Sequence, residues 1–188
     1  MILKANGLDL ACDVAGDGPD VALCLHGFPE SRFSWRFQLP FLAAQGWRAV
    51  APDLRGYGQS SRPTPTYAGK AAYHIDHLVD DVVGMFDALK PRRKLLVAHD
   101  WGAVIAWVVA MQRAVDLDGL IVQVTTFAGA ELLHELLGAL GAKDLPLALW
   151  ATEERDEIVT NSLCGAQLWM STLRRLGRRA VFVMGNVE

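Results

Sequence analysis

Short apolar runs rich in strand-forming residues alternate along this chain with segments whose apolar residues recur three and four apart. That alternation restricts the fold more than any other feature, because it is the pattern of a mostly parallel sheet with helices packed on both faces. Strands are predicted over residues 8–14, 21–25, 48–51, 95–98 and 120–124. Between them, residues 34–45 suit a helix, and Ile75, Leu78, Val79, Val82, Val83, Phe86 and Leu89 form one stripe of another. A third helix, over residues 102–112, is apolar nearly all round and is expected to be buried. Beyond residue 125 the pattern reads as helix over 130–140, strand over 147–150, helix over 156–176 and strand over 180–184.

The 188 residues fit one α/β domain, and 52% hydrophobic content against 21% charged residues is enough to build its core. A formal net charge of -3 and a pI near 5.9 provide no long-range attraction for nucleic acid or an anionic membrane. The basic clusters Arg92-Arg93-Lys94 and Arg174, Arg175, Arg178 and Arg179 are short and read as solvated faces. Cys12, Cys24 and Cys164 are odd in number, with no metal-ligand or redox spacing, which suits a reducing cytoplasm. No basic flank with a long apolar run opens the sequence, so no signal peptide is expected. The most apolar stretches, residues 103–111 and 117–124, are too short to cross a bilayer.

Three segments carry the chemistry. Ala98-His99-Asp100-Trp101-Gly102 stands between a predicted strand and a predicted helix. A nucleophile elbow needs that setting: a tight strand-to-helix turn pushes its central side chain outward, with small residues, here Ala98 and Gly102, relieving the crowding. The amino terminus of the helix adds unpaired N–H groups and a positive dipole end, which favour an ionised carboxylate. His26-Gly27-Phe28-Pro29-Glu30-Ser31 follows the strand over 21–25, where the Phe28 amide can converge with that of Trp101 on an oxyanion. Asp53-Leu54-Arg55-Gly56-Tyr57-Gly58-Gln59-Ser60-Ser61 is a glycine-containing loop assigned a structural role. His77 and Asp81, four apart on a helix, could be metal ligands, but no third ligand matches them, and they are read as an exposed polar face.

In this order and spacing the three segments resemble the epoxide hydrolase and haloalkane dehalogenase branch of the α/β-hydrolases, over about residues 8–122. Phe28 stands where many haloalkane dehalogenases have asparagine, so the epoxide hydrolases are the nearer likeness. Trp101 occupies the place of an arginine that holds the substrate carboxylate in fluoroacetate dehalogenases, which disfavours a charged substrate. The resemblance implies an α/β-hydrolase fold in which Asp100 is the nucleophile, forming an alkyl ester that an activated water hydrolyses. It implies Phe28 and Trp101 as oxyanion donors, His26 and Pro29 as residues that shape the loop, and Trp101 as pocket lining. A small uncharged organic substrate is expected, with no metal and no organic cofactor.

Past residue 122 the family pattern is harder to follow. The segment 125–146 has room for one or two helices, a vestigial cap in place of the family's lid. Leu147-Ala148-Leu149-Trp150 followed by Glu154-Arg155-Asp156 resembles the strand and loop that deliver the triad acid, which makes Asp156 the candidate. The triad histidine is expected just past Val181-Phe182-Val183-Met184-Gly185 and is not identified. His134 is the only histidine after Asp100, and it precedes Asp156, against the family's order. The domain therefore reads as incomplete at its carboxyl end, through loss of cap and tail or an altered tail. Three functional readings follow: an epoxide hydrolase-like enzyme, a non-catalytic or truncated hydrolase-fold protein, and a haloalkane dehalogenase. An uncovered apolar rim around the site would favour a homodimer.

Overall fold

The computed structural model describes residues 1–64, 66–67, 70–124, 147–152 and 181–186. The strands are β1 (Ile2–Ala5), β2 (Leu8–Ala15), β3 (Asp20–Leu25), β4 (Trp47–Pro52), β5 (Thr66–Tyr67), β6 (Lys70–Ala71), β7 (Lys94–His99), β8 (Gly119–Val124), β9 (Leu147–Thr152) and β10 (Val181–Asn186). The helices are α1 (Gln38–Ala44), α2 (Ile75–Leu89) and α3 (Trp101–Met111), and a short 3-10 turn spans Arg32–Trp35. Among these residues eight strands form one sheet in the order β1-β2-β4-β3-β7-β8-β10-β9, while β5 and β6 form a small separate hairpin. β1 with β2 and β2 with β4 run antiparallel, and the remaining pairs of the large sheet run parallel. The α/β fold class expected from the alternating pattern is borne out.

The two-residue period of the strands divides the interior into two cores. Val21, Leu23 and Leu25 of β3, Leu96 and Ala98 of β7, and Leu120 and Val122 of β8 share a cluster with Val79, Val82, Met85 and Phe86 of α2 and Ala103, Ile105, Ala106 and Val109 of α3. The alternate residues Ala22, Cys24, Leu95, Val97 and Ile121 pack on the other face, with Trp35 and with Leu39 and Leu42 of α1. Strands covered on both faces read as continuous apolar runs, which is why β3 and β7 were conspicuous in the sequence. Burial raises the Cys12 thiol to about 11 and pushes Cys24 upward too, so both stay protonated in the core.

The helix expected over residues 34–45 begins later, at Gln38, after the 3-10 turn that Ser31 caps. Pro40 is the reason. A helix running from residue 34 would hold the Pro40 ring against the carbonyl of Arg36 in its interior, whereas a start at Gln38 leaves Pro40 in the first turn, where a missing N–H costs nothing. β1 was not foreseen. It pairs with β2 through a two-residue turn, Ala5 opposite Leu8, with Asn6 and Gly7 both at positive φ (48° and 71°). Asn-Gly is the sequence signal of that turn and could have found the strand. α3 buries one face fully, while Val104, Trp107 and Val108 are half-buried and Met111 is exposed, so it is less enclosed than its composition implied.

The strand order also fixes where a site can form. From β3 the chain moves to β4 on one side and returns to β7 on the other. The loops after β3 and β7 therefore leave in opposite directions and open a crevice beyond the carboxyl ends of these neighbouring strands, the usual place for a ligand in such a sheet.

Candidate active site

Asp100 occupies the turn between β7 and α3 with φ 53° and ψ -120°. A non-glycine residue at positive φ costs about 1–3 kcal/mol and persists only where its surroundings hold it. Here the carbonyl of Asp100 starts the helix, accepting the N–H groups of Ala103 and Val104 at 2.9 and 3.2 Å. Its side chain makes no capping bond to that helix. Instead Oδ1 accepts the Phe28 amide at 2.8 Å, across a separation of 72 residues. Oδ1 and the Phe28 amide thus face each other across the β3–β7 crevice.

Two glycines permit this approach. A Cβ on Gly102 would press on the carbonyl oxygens of Leu25 and His26, the latter at 2.7 Å, so the first turn of α3 can lie on the end of β3 only without one. A Cβ on Gly27 would meet the Asp100 side chain, with Oδ1 at 2.5 Å. The elbow pattern requires a small residue at Gly102, whereas nothing in the local sequence assigns this role to Gly27.

His26 is fully buried and bonded through both ring nitrogens. Nδ1 lies 2.8 Å from the Gly27 carbonyl, and Nε2 accepts the Leu54 amide at 3.0 Å. A carbonyl can only accept and an amide can only donate, so the ring is neutral with its proton on Nδ1. Burial lowers its pKa, which the bond to Gly27 only partly opposes. His26 thus ties the loop after β3 to the loop after β4. The Tyr57 ring stands edge-on against it, centroids 4.8 Å apart. Pro29 is exposed and follows a cis peptide bond from Phe28.

Glu30, in the motif after β3, has a role that the sequence does not announce. Its Oε2 accepts Nδ1 of His99 at 3.2 Å and the Gly27 amide at 3.4 Å, joining the elbow to the loop that faces it. The loop after β4 is organised by Asp53, whose carboxylate accepts the Arg32 and Gln59 amides, each at 3.0 Å, and pairs with the Arg32 guanidinium. Ser60 donates its hydroxyl to the Asp53 carbonyl at 2.5 Å and accepts the Ala11 amide at 2.9 Å. Gly58, at positive φ, packs on the same carboxylate.

The reading of His77 and Asp81 as an exposed polar face is corrected: both are buried. Asp81 accepts Nε and a terminal nitrogen of the fully buried Arg55, both at 2.6 Å, and the Asn6 amide at 2.8 Å. Arg55 also donates to the carbonyls of Ala72 and His77, at 2.5 and 3.2 Å. A helix face that looks polar in sequence is here an internal ion pair. Among the described residues no three His, Cys, Asp or Glu side chains gather as a metal site, and no helix is long and apolar enough to cross a membrane.

Asp156, His134 and the segment 125–146 lie outside the described residues. β9, the strand preceding Asp156, forms the edge of the sheet, with β10 and β8 between it and β7. At the usual spacing of parallel strands its end is about 14 Å from that of β7.

Comparison with known proteins agrees with the motifs. Epoxide hydrolase 3 of Siraitia grosvenorii is 44% identical over 119 residues, 63% of this chain and 36% of that protein. Epoxide hydrolase B of Mycobacterium tuberculosis is 47% identical over 112 residues, 60% of this chain and 30% of that protein. Among solved structures, potato epoxide hydrolase I superposes with a TM-score of 0.61 at 38% identity, covering 69% of this chain and 40% of the potato enzyme. Epoxide hydrolase A of Mycobacterium thermoresistibile gives 0.60 at 32% identity, over 73% and 44%. The chain thus spans about a third of the length of the curated relatives it matches. With the alpha/beta hydrolase fold family also matching residues 21–143, the chain belongs to the α/β-hydrolase fold family and has epoxide hydrolases among its relatives.

Proposed function

We propose that this chain carries the nucleophile half of an epoxide hydrolase acting on small uncharged organic epoxides, with Asp100 as the nucleophile. The observation that carries this reading is the Asp100 side chain itself, held on a strained elbow, making no bond to its own helix and accepting the Phe28 amide instead. With Oδ1 so engaged, Oδ2 attacks one ring carbon and an alkyl ester forms. When water then adds to the ester carbon, the negative charge develops on the oxygen that faces Phe28. Its amide, joined by that of Trp101 at the start of α3, stabilises the oxyanion. The exposed rings of Phe28 (64%) and Trp101 (57%) offer an apolar wall beside the carboxylate, which suits an uncharged substrate. His26 and Pro29 shape the loop that presents Phe28. No metal or organic cofactor enters either step, and Asp156 remains the proposed acid partner of the base that activates water.

The test is covalent labelling. Purified protein treated with a reactive epoxide should gain one substrate mass on the peptide containing Asp100, and Asp100→Ala should gain none. A folded protein that forms no such ester with a panel of epoxides and haloalkanes would be a non-catalytic member of the fold, and the proposal would be wrong.

A further inference from the structure

We propose that Asn6 is a deamidation site gated by the fold: the β1–β2 turn shields its side-chain amide, and once that turn opens, conversion to aspartate lastingly weakens the junction of β1, α2 and the loop after β4. Of the three asparagines, Asn6, Asn161 and Asn186, only Asn6 precedes a glycine. A glycine in that place leaves the backbone nitrogen unhindered by a side chain and free to approach the asparagine side-chain carbonyl.

The reaction balances with water as its only co-reactant. The Gly7 nitrogen gives up its proton and bonds to Cγ of Asn6. The bond from Cγ to Nδ2 then breaks, and Nδ2 takes the electron pair and a proton and leaves as ammonia. The five-membered imide that remains adds water at one of its two carbonyls and opens to aspartate or to isoaspartate.

The folded chain holds this reaction back. Positive φ at both Asn6 and Gly7, 48° and 71°, makes a type I′ turn. Left-handed backbone at Asn6 sets the Gly7 nitrogen nearly opposite Cβ across the Cα–C bond, whereas ring closure needs the two eclipsed. Nδ2 is held as well, since it donates to Oδ1 of Asp81 in α2 at 2.8 Å. The turn also lies directly on that helix: a Cβ on Gly84 would stand 2.9 Å from the Asn6 backbone nitrogen. The ring therefore closes only in chains whose turn has left α2, a local opening.

The product does not fit back. Oδ1 of Asp81 accepts both Nδ2 of Asn6 and a terminal nitrogen of the buried Arg55. A carboxylate in place of the Asn6 amide sets a second acceptor of like charge at hydrogen-bond distance from a buried carboxylate. The Arg55 nitrogen nearest to it already directs one proton at Asp81 and the other at the His77 carbonyl. Isoaspartate adds a carbon to the main chain of a two-residue turn and disturbs the pairing of Ala5 with Leu8. Either product loosens Arg55, and the amide of the preceding residue, Leu54, is the one that holds Nε2 of His26 in the loop facing Asp100.

The test compares full-length protein kept folded in buffer with the same protein unfolded in guanidinium chloride. Mass spectrometry of the peptide containing Asn6 follows the gain of one mass unit, which should accumulate at least about tenfold more slowly in the folded chain. Protein refolded after conversion, and Asn6→Asp, should unfold at lower urea than wild type and than Asn6→Gly, which keeps the turn and loses only the amide donor. Equal conversion in the two states, or none in the unfolded chain, would overturn the proposal. So would an Asn6→Asp midpoint equal to that of wild type or of Asn6→Gly, since the new carboxylate would then do no harm.

Discussion

A methyl group on Gly27 would lie 2.5 Å from Oδ1 of Asp100, far inside van der Waals contact. The Asp100 side chain would have to swing away, or the loop after β3 would have to lift, and either movement breaks the bond from the Phe28 amide. We expect Gly27→Ala to lower the rate of ester formation at Asp100 about a hundredfold, the order of loss that a misplacement of about 1 Å produces. Its thermal unfolding should change little by comparison, since the collision is confined to a turn and one loop. Measuring both on the same preparation checks the claim: a wild-type labelling rate would show that Gly27 does not set the distance. This requirement was hidden in the sequence, because nothing local to Gly27 announces a side chain that arrives 73 positions later. The elbow itself was legible, since small residues around a central aspartate between strand and helix are a local pattern.

At the scale of elements, the loop after β4 and helix α2 are joined by the ion pair of Arg55 and Asp81, both buried. Replacing Asp81 by alanine removes the carboxylate that accepts Nε and a terminal nitrogen of the buried Arg55 guanidinium, both at 2.6 Å. The expected loss is about 3–5 kcal/mol, measured as a shift in the urea midpoint at constant slope. Arg55→Met combined with Asp81→Leu should be less costly than Asp81→Ala alone, since both charges of the pair are then removed together. A single mutant as stable as wild type would mean that the pair is dispensable. Sequence reading missed this link for a physical reason. His77 and Asp81 flank the apolar stripe of α2 at helical spacing, and polar residues there usually face water; partners distant in sequence, Arg55 and Asn6, hold Asp81 inward. The late start of α1 was, in contrast, written locally in Pro40, and the β1–β2 turn in Asn6-Gly7.

Across the whole molecule, the parallel sheet and its two cores were readable because burial on both faces leaves an apolar run in each central strand. Strand order was not, since it depends on which edges meet rather than on the residues within a strand; β10 lies between β8 and β9 although it follows both. Phe28, Trp101, Phe33 (63%) and Phe37 (55%) all expose large aromatic rings, and exposed apolar rings favour association. Light scattering should therefore give a mass above that of one chain that rises with concentration, and a monodisperse monomer at high concentration would refute this.

A different long-range contact makes a pH-dependent contribution to the stability of the fold. Asp20, at the start of β3, is buried and bound by Arg92 and Arg93 from the loop before β7, with contacts from 2.6 to 2.9 Å. Hydrogen bonding to Arg92 leads in holding its carboxyl well below the usual carboxylate range, with Arg93 adding to the effect against the cost of burial. A carboxylate whose pKa is depressed in the folded state adds stability that is complete above its unfolded pKa, about 3.9, and is lost as pH falls from there towards the folded value. Asp20→Asn should accordingly be less stable than wild type at pH 7, and the gap should narrow below about pH 4. Denaturant midpoints of the two proteins, compared at pH 7 and at successive steps below 4, provide the check. A gap that persists unchanged into acid would show that Asp20 acts through packing and neutral hydrogen bonds, and not through its charge.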